Sequence, residues 1–353
     1  MRINLITLLL AFGAMLAGNI VSTAQESKKG VRIVARESER RVDVEVDGQA
    51  FTSYIWPESL KKPVLYPLRT GEGTSVTRGF PLAPRAGERV DHPHHAGLWF
   101  NYGDVNGVDF WNNSTTLSPA EQKKMGSIVH RKILAAKSGP ETGELEVAGD
   151  WVMPDGQIVL TETTKFIFHR GPENYRAIDR LTTLTARDQA VQFKDNKEGL
   201  IGMRVARALE HPADKPEIYT DAQGRPTAVA KLDNTGVTGH YRTSEGKEGD
   251  AAWGTRGRWA MLSGKVEGRP VTVAILDHPR NPGHPTYWHA RGYGLFAANP
   301  LGQKVFSEGR EELKFSLKPR ESVIFRHRIL LLSDSATPAQ IEEQYERFTS
   351  AVK

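Results

Sequence analysis

The stretch Leu145-Glu146-Val147-Ala148-Gly149-Asp150-Trp151-Val152-Met153, then Pro154-Asp155-Gly156, then Gln157-Ile158-Val159-Leu160-Thr161-Glu162-Thr163-Thr164-Lys165-Phe166-Ile167-Phe168 decides the fold class. Two runs rich in alternating apolar residues flank a turn whose Asp and Gly suit hairpin dihedrals. Alternation with period two marks a strand with one buried face. The pattern recurs along the chain. Val42, Val44 and Val46 alternate with charged residues before Asp47-Gly48, segments 258–262 and 271–276 flank a glycine-rich link, and 323–332 reads as a late, well-buried strand. Most of the 33 glycines and 20 prolines fall between such runs, as punctuation.

Helix is scarce. Ser118-Pro119-Ala120-Glu121 can open a short one, and Thr337-Pro338-Ala339-Gln340 a longer one that closes the chain near Phe348. No βαβ alternation appears. The expected architecture is therefore mostly β: one large antiparallel β-sandwich over residues 25–353, with a short C-terminal helix. Residues 231–257, polar and glycine-rich, read as a long loop bordering an open face.

Residues 1–24 read as a secretory signal. Met1-Arg2 precedes an apolar run at 5–17, and Ser22-Thr23-Ala24 suits cleavage before Gln25. A secreted or periplasmic protein is expected. That run is too short to favour a membrane span, and no later stretch approaches the needed length. The chain has no cysteine, which excludes disulfides, thiolate metal sites and cysteine nucleophiles. Its 47 basic and 42 acidic residues give a formal charge of +5, spread without a basic block, so no nucleic-acid partner is expected.

Three segments concentrate chemistry. In Asp91-His92-Pro93-His94-His95-Ala96-Gly97-Leu98-Trp99-Phe100, continuing through Asp104 to Asp109-Phe110-Trp111, three of the 11 histidines meet aspartates, aromatics and glycines. Imidazoles and carboxylates move protons near neutral pH or hold metals. The second, 277–296, brings His278, His284, His289, Arg291, Tyr287, Trp288 and Tyr293, and follows the predicted strand 271–276, so that Asp277 stands where strand meets loop. In the third, 195–207, Glu198 stands at the mouth of an apolar strand on which Arg204 and Ala206 oppose Met203 and Val205.

These segments, 92–111 with Lys-Glu-Gly-x-x-Gly-x-Arg-Val-Ala (197–206) and Tyr-Trp-His-Ala-Arg-Gly-Tyr-Gly-Leu-Phe-Ala-Ala-Asn-Pro-Leu-Gly (287–302), resemble the exported bacterial family labelled "methane oxygenase PmoA", over roughly residues 30–333. A membrane subunit of such an oxygenase needs several spans, which this chain lacks, so that activity is not expected here. The His-His-x-Gly-Leu-Trp-Phe pattern is also similar, more loosely, to galactose-mutarotase-like supersandwich proteins. That resemblance implies a histidine and a glutamate acting as acid and base on a sugar ring.

Several readings stay open. If 91–95 is a strand, His92 and His94 share a face and His95 points away. With Asp91, Asp104 or a distant His289, that pair suits a divalent metal, although no cofactor is required. An acid–base site needs only one or two histidines and a carboxylate converging in a cleft. Histidines satisfying turn hydrogen bonds are the bland alternative. Phe100 and Phe110 read as core; Trp99, Trp111 and Trp288 are candidates for stacking on a sugar. The expectation is an exported carbohydrate-active enzyme, an epimerase, lyase or hydrolase. His94, His95, Glu198 and His289 would be catalytic. Asp91, His92, Trp99, Asp104, Arg204, His284, Tyr287, Trp288 and Arg291 would bind a carbohydrate or glycoside. A non-catalytic polysaccharide-binding module and a metal-dependent oxygenase or hydrolase are the alternatives.

Overall fold

The computed structural model describes residues 29–352, so the expected secretory segment at 1–24 lies outside it. Two large antiparallel sheets pack face to face. The hairpin that opened the sequence reading forms the strands Thr142–Val152 and Ile158–Arg170, paired along their length. Leu145, Val147 and Trp151 turn inward from the first strand, and Trp151 donates its indole N–H to Glu162 at 2.9 Å. These strands belong to an eight-stranded sheet that also holds Trp259–Val266, Arg269–Asp277 and Ser322–Leu332.

The other sheet has nine strands. Four neighbours in it matter most: Leu98–Tyr102, Gly199–Arg204, Leu295–Asn299 and Thr286–Arg291, side by side in that order. Between the sheets lies one large apolar core, to which Phe100, Met203, Val205, Trp288, Ala290 and Phe296 contribute from the nine-stranded side. Phe166, Phe168, Leu262, Ile275 and Ile329 face them. Burying one face of each sheet against the other is what the period-two patterning requires.

Both outer faces are partly covered. The helix Pro338–Ala351 starts from a capping box of Thr337 and Gln340 and lays Ile341, Tyr345 and Phe348 on Trp259, Met261, Leu276 and Leu330 of the eight-stranded sheet. The nine-stranded sheet carries a small second cluster of Trp99, Trp111, Leu295 and Ala297. Trp99, Gly202, Ala297 and His289 are cross-strand neighbours in one row of that face. Gly202 is required there, since a Cβ would lie 2.9 Å from the Trp99 ring.

The segment 231–257 differs from its reading as a long loop. It contains the strand His240–Thr243, which pairs with Trp259–Val266 at the edge of the eight-stranded sheet. Four residues between glycine-rich turns are too few for periodicity to reveal. Among the described residues, no helix is long and apolar enough to cross a membrane.

Candidate active site

The histidine cluster does not form a strand. Residues 91–97 are a loop, and the strand begins at Leu98. This corrects the expectation that His92 and His94 share a strand face opposite His95. The His95 amide donates to the His92 carbonyl at 2.9 Å, and His92 takes a positive φ of 42°. The tight turn stacks the rings instead of alternating them. His92 lies parallel to His95 at 4.8 Å and to Tyr293 at 5.4 Å, and His95 lies on Trp99 at 5.0 Å. His94 meets His95 edge-on at 4.3 Å.

His95 is therefore an internal piece of the site, 2% exposed. Its Nε2 faces the Trp111 indole N–H at 3.2 Å, and its Nδ1 faces an Arg204 guanidinium nitrogen at 3.3 Å. Burial, followed by the charges of His94 and Arg204, holds it far below the ordinary imidazole range. Both of its ring nitrogens are engaged, which leaves neither for a ligand. Burial, then Lys62, likewise drives His94 down to about 2, so it is neutral.

Asp91 anchors the loop. It accepts from Arg204 Nη2 at 2.7 and 2.9 Å, from the Arg78 guanidinium, and from the His92 ring at 2.9 Å. Arg78 also donates to the His92 and His95 carbonyls at 3.0 and 3.1 Å. Burial alone would raise the Asp91 carboxyl. The His92 hydrogen bond and the Arg204 and Arg78 cations outweigh it and hold Asp91 well below the usual range. Asp91 is thus the carboxylate partner of the fully buried Arg204. Both residues build the site and neither is free to bind substrate.

Glu198, half-buried, and His289, itself only 3% exposed, are the other ionisable groups of these segments that converge. Along Thr286–Arg291, Trp288 and Ala290 enter the main core, so Tyr287, His289 and Arg291 take the outer face. His289 Nδ1 lies 3.1 Å from the Lys197 carbonyl. Only a protonated Nδ1 can bond a carbonyl, which assigns the Nε2 lone pair as the basic position. Burial, then Arg291 and Lys197, lowers His289 to about 3, so the ring is neutral at ordinary pH. Glu198 Oε2 stands 3.9 Å from His289 Nδ1. Burial raises the Glu198 carboxyl against the pull of Lys197, and Asp109 pushes the same way. The loop that carries Glu198 is tied down by Asn299, whose side-chain amide donates to the Asn196 and Lys197 carbonyls at 2.8 and 3.0 Å.

The other expected residues divide. Asp104 caps its own turn, accepting from the Gly107 amide at 2.8 Å. His284 bonds Asp277 at 2.8 Å in a buried polar knot with Asn281 and His327. The segment 277–296 is therefore split, and only its second half reaches the site. Trp99, Trp111 and Trp288 are fully buried and present no ring to a sugar. Tyr287 is occupied by Phe306, stacked at 5.4 Å. His92 and Arg291 remain exposed. Among the described residues no group of three or more His, Asp or Glu is placed to hold a metal ion, because the 92–95 rings stack instead of converging.

Sequence reasoning passed over Arg78 and Lys62, which stand outside any chemical motif; it named Tyr293 in the second segment without giving it a role. Lys62 is 5% exposed, donates to the His94 carbonyl at 2.7 Å and lies over Trp99. Burial lowers its amine to about 7. A lysine whose folded pKa lies below its unfolded one binds fewer protons when folded, so stability rises with pH between the two, from about 7 to about 10. Lys62→Met removes this dependence. The stability of the variant relative to the parent is expected to be greatest below about pH 7 and to decline toward pH 10. Urea unfolding across that range checks it, and a pH-independent difference would refute it.

The chain belongs to the DUF6807 family, a family of unknown function, whose model matches residues 41–346. That match does not carry the methane-oxygenase label. A search of curated proteins by sequence gives no match. Similar solved structures include a galactose 1-epimerase from Lactobacillus acidophilus, at 10% identity and a TM-score of 0.38, covering 86% of this chain and 99% of that one. A GalM/aldose epimerase homologue from C. elegans is similar at 9% identity and a TM-score of 0.32, covering 87% and 99%. An alpha-galactosidase from Lactobacillus brevis follows at 10% and 0.36, covering 86% of this chain and 40% of its own. At that distance the chemistry has to be read from the residues.

Proposed function

We propose that this protein is an exported carbohydrate-active enzyme that transfers protons on a sugar or glycoside, with His289 as general base and Glu198 as general acid. The observation that carries this reading is the convergence of the two groups at 3.9 Å, with the His289 tautomer set by the Lys197 carbonyl. Their environments push them apart as an acid–base pair requires: the imidazole is kept unprotonated and the carboxyl is helped to stay protonated. The polysaccharide-module alternative draws less support, since the three tryptophans it relied on are buried. Export rests on the apolar run at 5–17 and the small residues before Gln25.

The test is turnover of free sugars and glycosides by the purified protein as a function of pH. The base must be unprotonated and the acid protonated. Activity should therefore exist above the His289 value of about 3 and fall as pH rises through the raised Glu198 value. The limbs belong to the pair, since the two groups are close. Activity that climbs steadily from about pH 5 to about pH 8 would reverse the assigned roles.

A further inference from the structure

Arg291 is the cation that the acid–base reading leaves unused. It stands two residues beyond His289 on the same strand face, about 7 Å away by strand rise. Its guanidinium lies 5.5 Å from the Trp253 ring centroid and 5.8 Å from that of Tyr293. Among the described residues no carboxylate pairs with it. The nearby Asp250 is taken by His211 at 3.0 Å. The other arginines of this region differ: Arg78 and Arg204 share Asp91, and Arg89 and Arg207 share Glu210. Aromatic faces hold a guanidinium in place without cancelling its charge.

The charges that weigh on the two nearby histidines are positive. Arg291 and Lys197 are the charges that weigh most on His289, and Lys62 and His92 those that weigh most on His94. Beyond Arg291 and Tyr293 opens a cavity of about 510 Å³ whose other charged walls are of both signs: Arg89 pairs with Glu217 and His211 with Asp250, and Asp214 and Lys215 are neighbours in sequence. Its volume is of the order that holds a small ligand. Trp253, at 39% exposure, is the exposed aromatic at its wall.

We propose that the site takes an acidic saccharide, a sugar ring bearing a carboxylate, with that carboxylate on Arg291 and the ring reaching back to His289 and Glu198. This rests on the acid–base reading and narrows its substrate class. A guanidinium presents paired N–H donors that match a carboxylate edge. The two-residue spacing sets the anion hook and the base about one sugar ring apart.

Calorimetric titration with linkage-matched trisaccharides tests this, pairing galacturonate with galactose and glucuronate with glucose. The protein should bind at least one acidic trimer roughly tenfold more tightly than its neutral partner. Arg291→Gln should erase that preference while leaving the neutral affinity in place, and added salt should weaken the acidic arm alone. Equal affinities in the parent protein, or a preference that survives Arg291→Gln, would overturn the proposal. Tight binding of neutral sugars alone would discard the acidic class and leave the acid–base reading standing. Failure to bind any saccharide of either set would take both down.

Discussion

Glu198→Gln and His289→Ala should each lower turnover by about two to four orders of magnitude, the usual worth of a general acid or base. Glutamine keeps the shape of the glutamate but has no acidic proton. The loss of His289 removes the ring whose tautomer is set by the Lys197 carbonyl. Both changes should reduce kcat and kcat/KM together, as expected for interactions made in the transition state. The double variant should be little worse than the poorer single one, because the two groups act as a unit. Glu198→Gln should leave folding intact, since Glu198 is already disfavoured as a buried carboxylate; His289 is 3% exposed and meets Phe306 edge-on at 5.8 Å, so turnover of His289→Ala is read beside its thermal unfolding. Full activity in either variant on an identified substrate would end this mechanism. Sensitivity to chelators, with recovery on adding metal, would move the chemistry to a metal-dependent route.

His95 needs separate treatment, since its position in the sequence suggested a catalytic part. In the structure its ring is sealed between His92 and Trp99. His95→Ala should act by opening a cavity beneath His92 and freeing the Trp111 indole and Arg204, so lost stability should accompany any lost activity. Thermal unfolding beside turnover separates that outcome from the one expected for His289.

The sheets were legible because their signal is local. Period-two runs at 42–46, 145–168, 258–276 and 323–332 name strands and faces without knowledge of the rest of the chain. The capping sequences at Ser118 and Thr337 were legible for the same reason. The membership of the site was half legible. Glu198 and His289 stood in segments dense in ionisable residues, and the sheet order leaves one strand between that of His289 and the strand that Glu198 precedes. The roles inside the histidine run were not legible, because they depend on a turn at His92 that converts alternation into stacking. Nor was the fate of Arg204, whose partner lies 113 residues away. Tryptophans at 99, 111 and 288 read equally well as platform or core, and only burial separates the two.

Removing Asp91 should cost the most stability. The side chains of Arg78 and Arg204 are 1% and 0% exposed, and Asp91 is the acid that both share. Asp91→Ala would leave two buried guanidiniums with no carboxylate bonded to either, Glu210 being engaged by Arg89. Breaking a buried pair from one side typically costs about 3–5 kcal/mol, and here one carboxylate serves two cations. Asp91→Asn is expected to fall short of full rescue, because its oxygen can accept but its charge is gone. The pH dependence has a definite sign. The folded carboxyl lies below its unfolded value of about 3.9, so its contribution is complete above that value and disappears only as pH falls through the lower, folded one. The parent should therefore keep this contribution across the neutral and mildly acidic range, and the difference between parent and Asp91→Asn should narrow only in strong acid. Denaturant unfolding of both proteins from about pH 7 to about pH 3 measures this. A difference that vanishes already near pH 5 would mean that Asp91 is not the ionised centre of the cluster. The loop that stacks His92 over His95 would then owe its shape to the aromatic contacts alone.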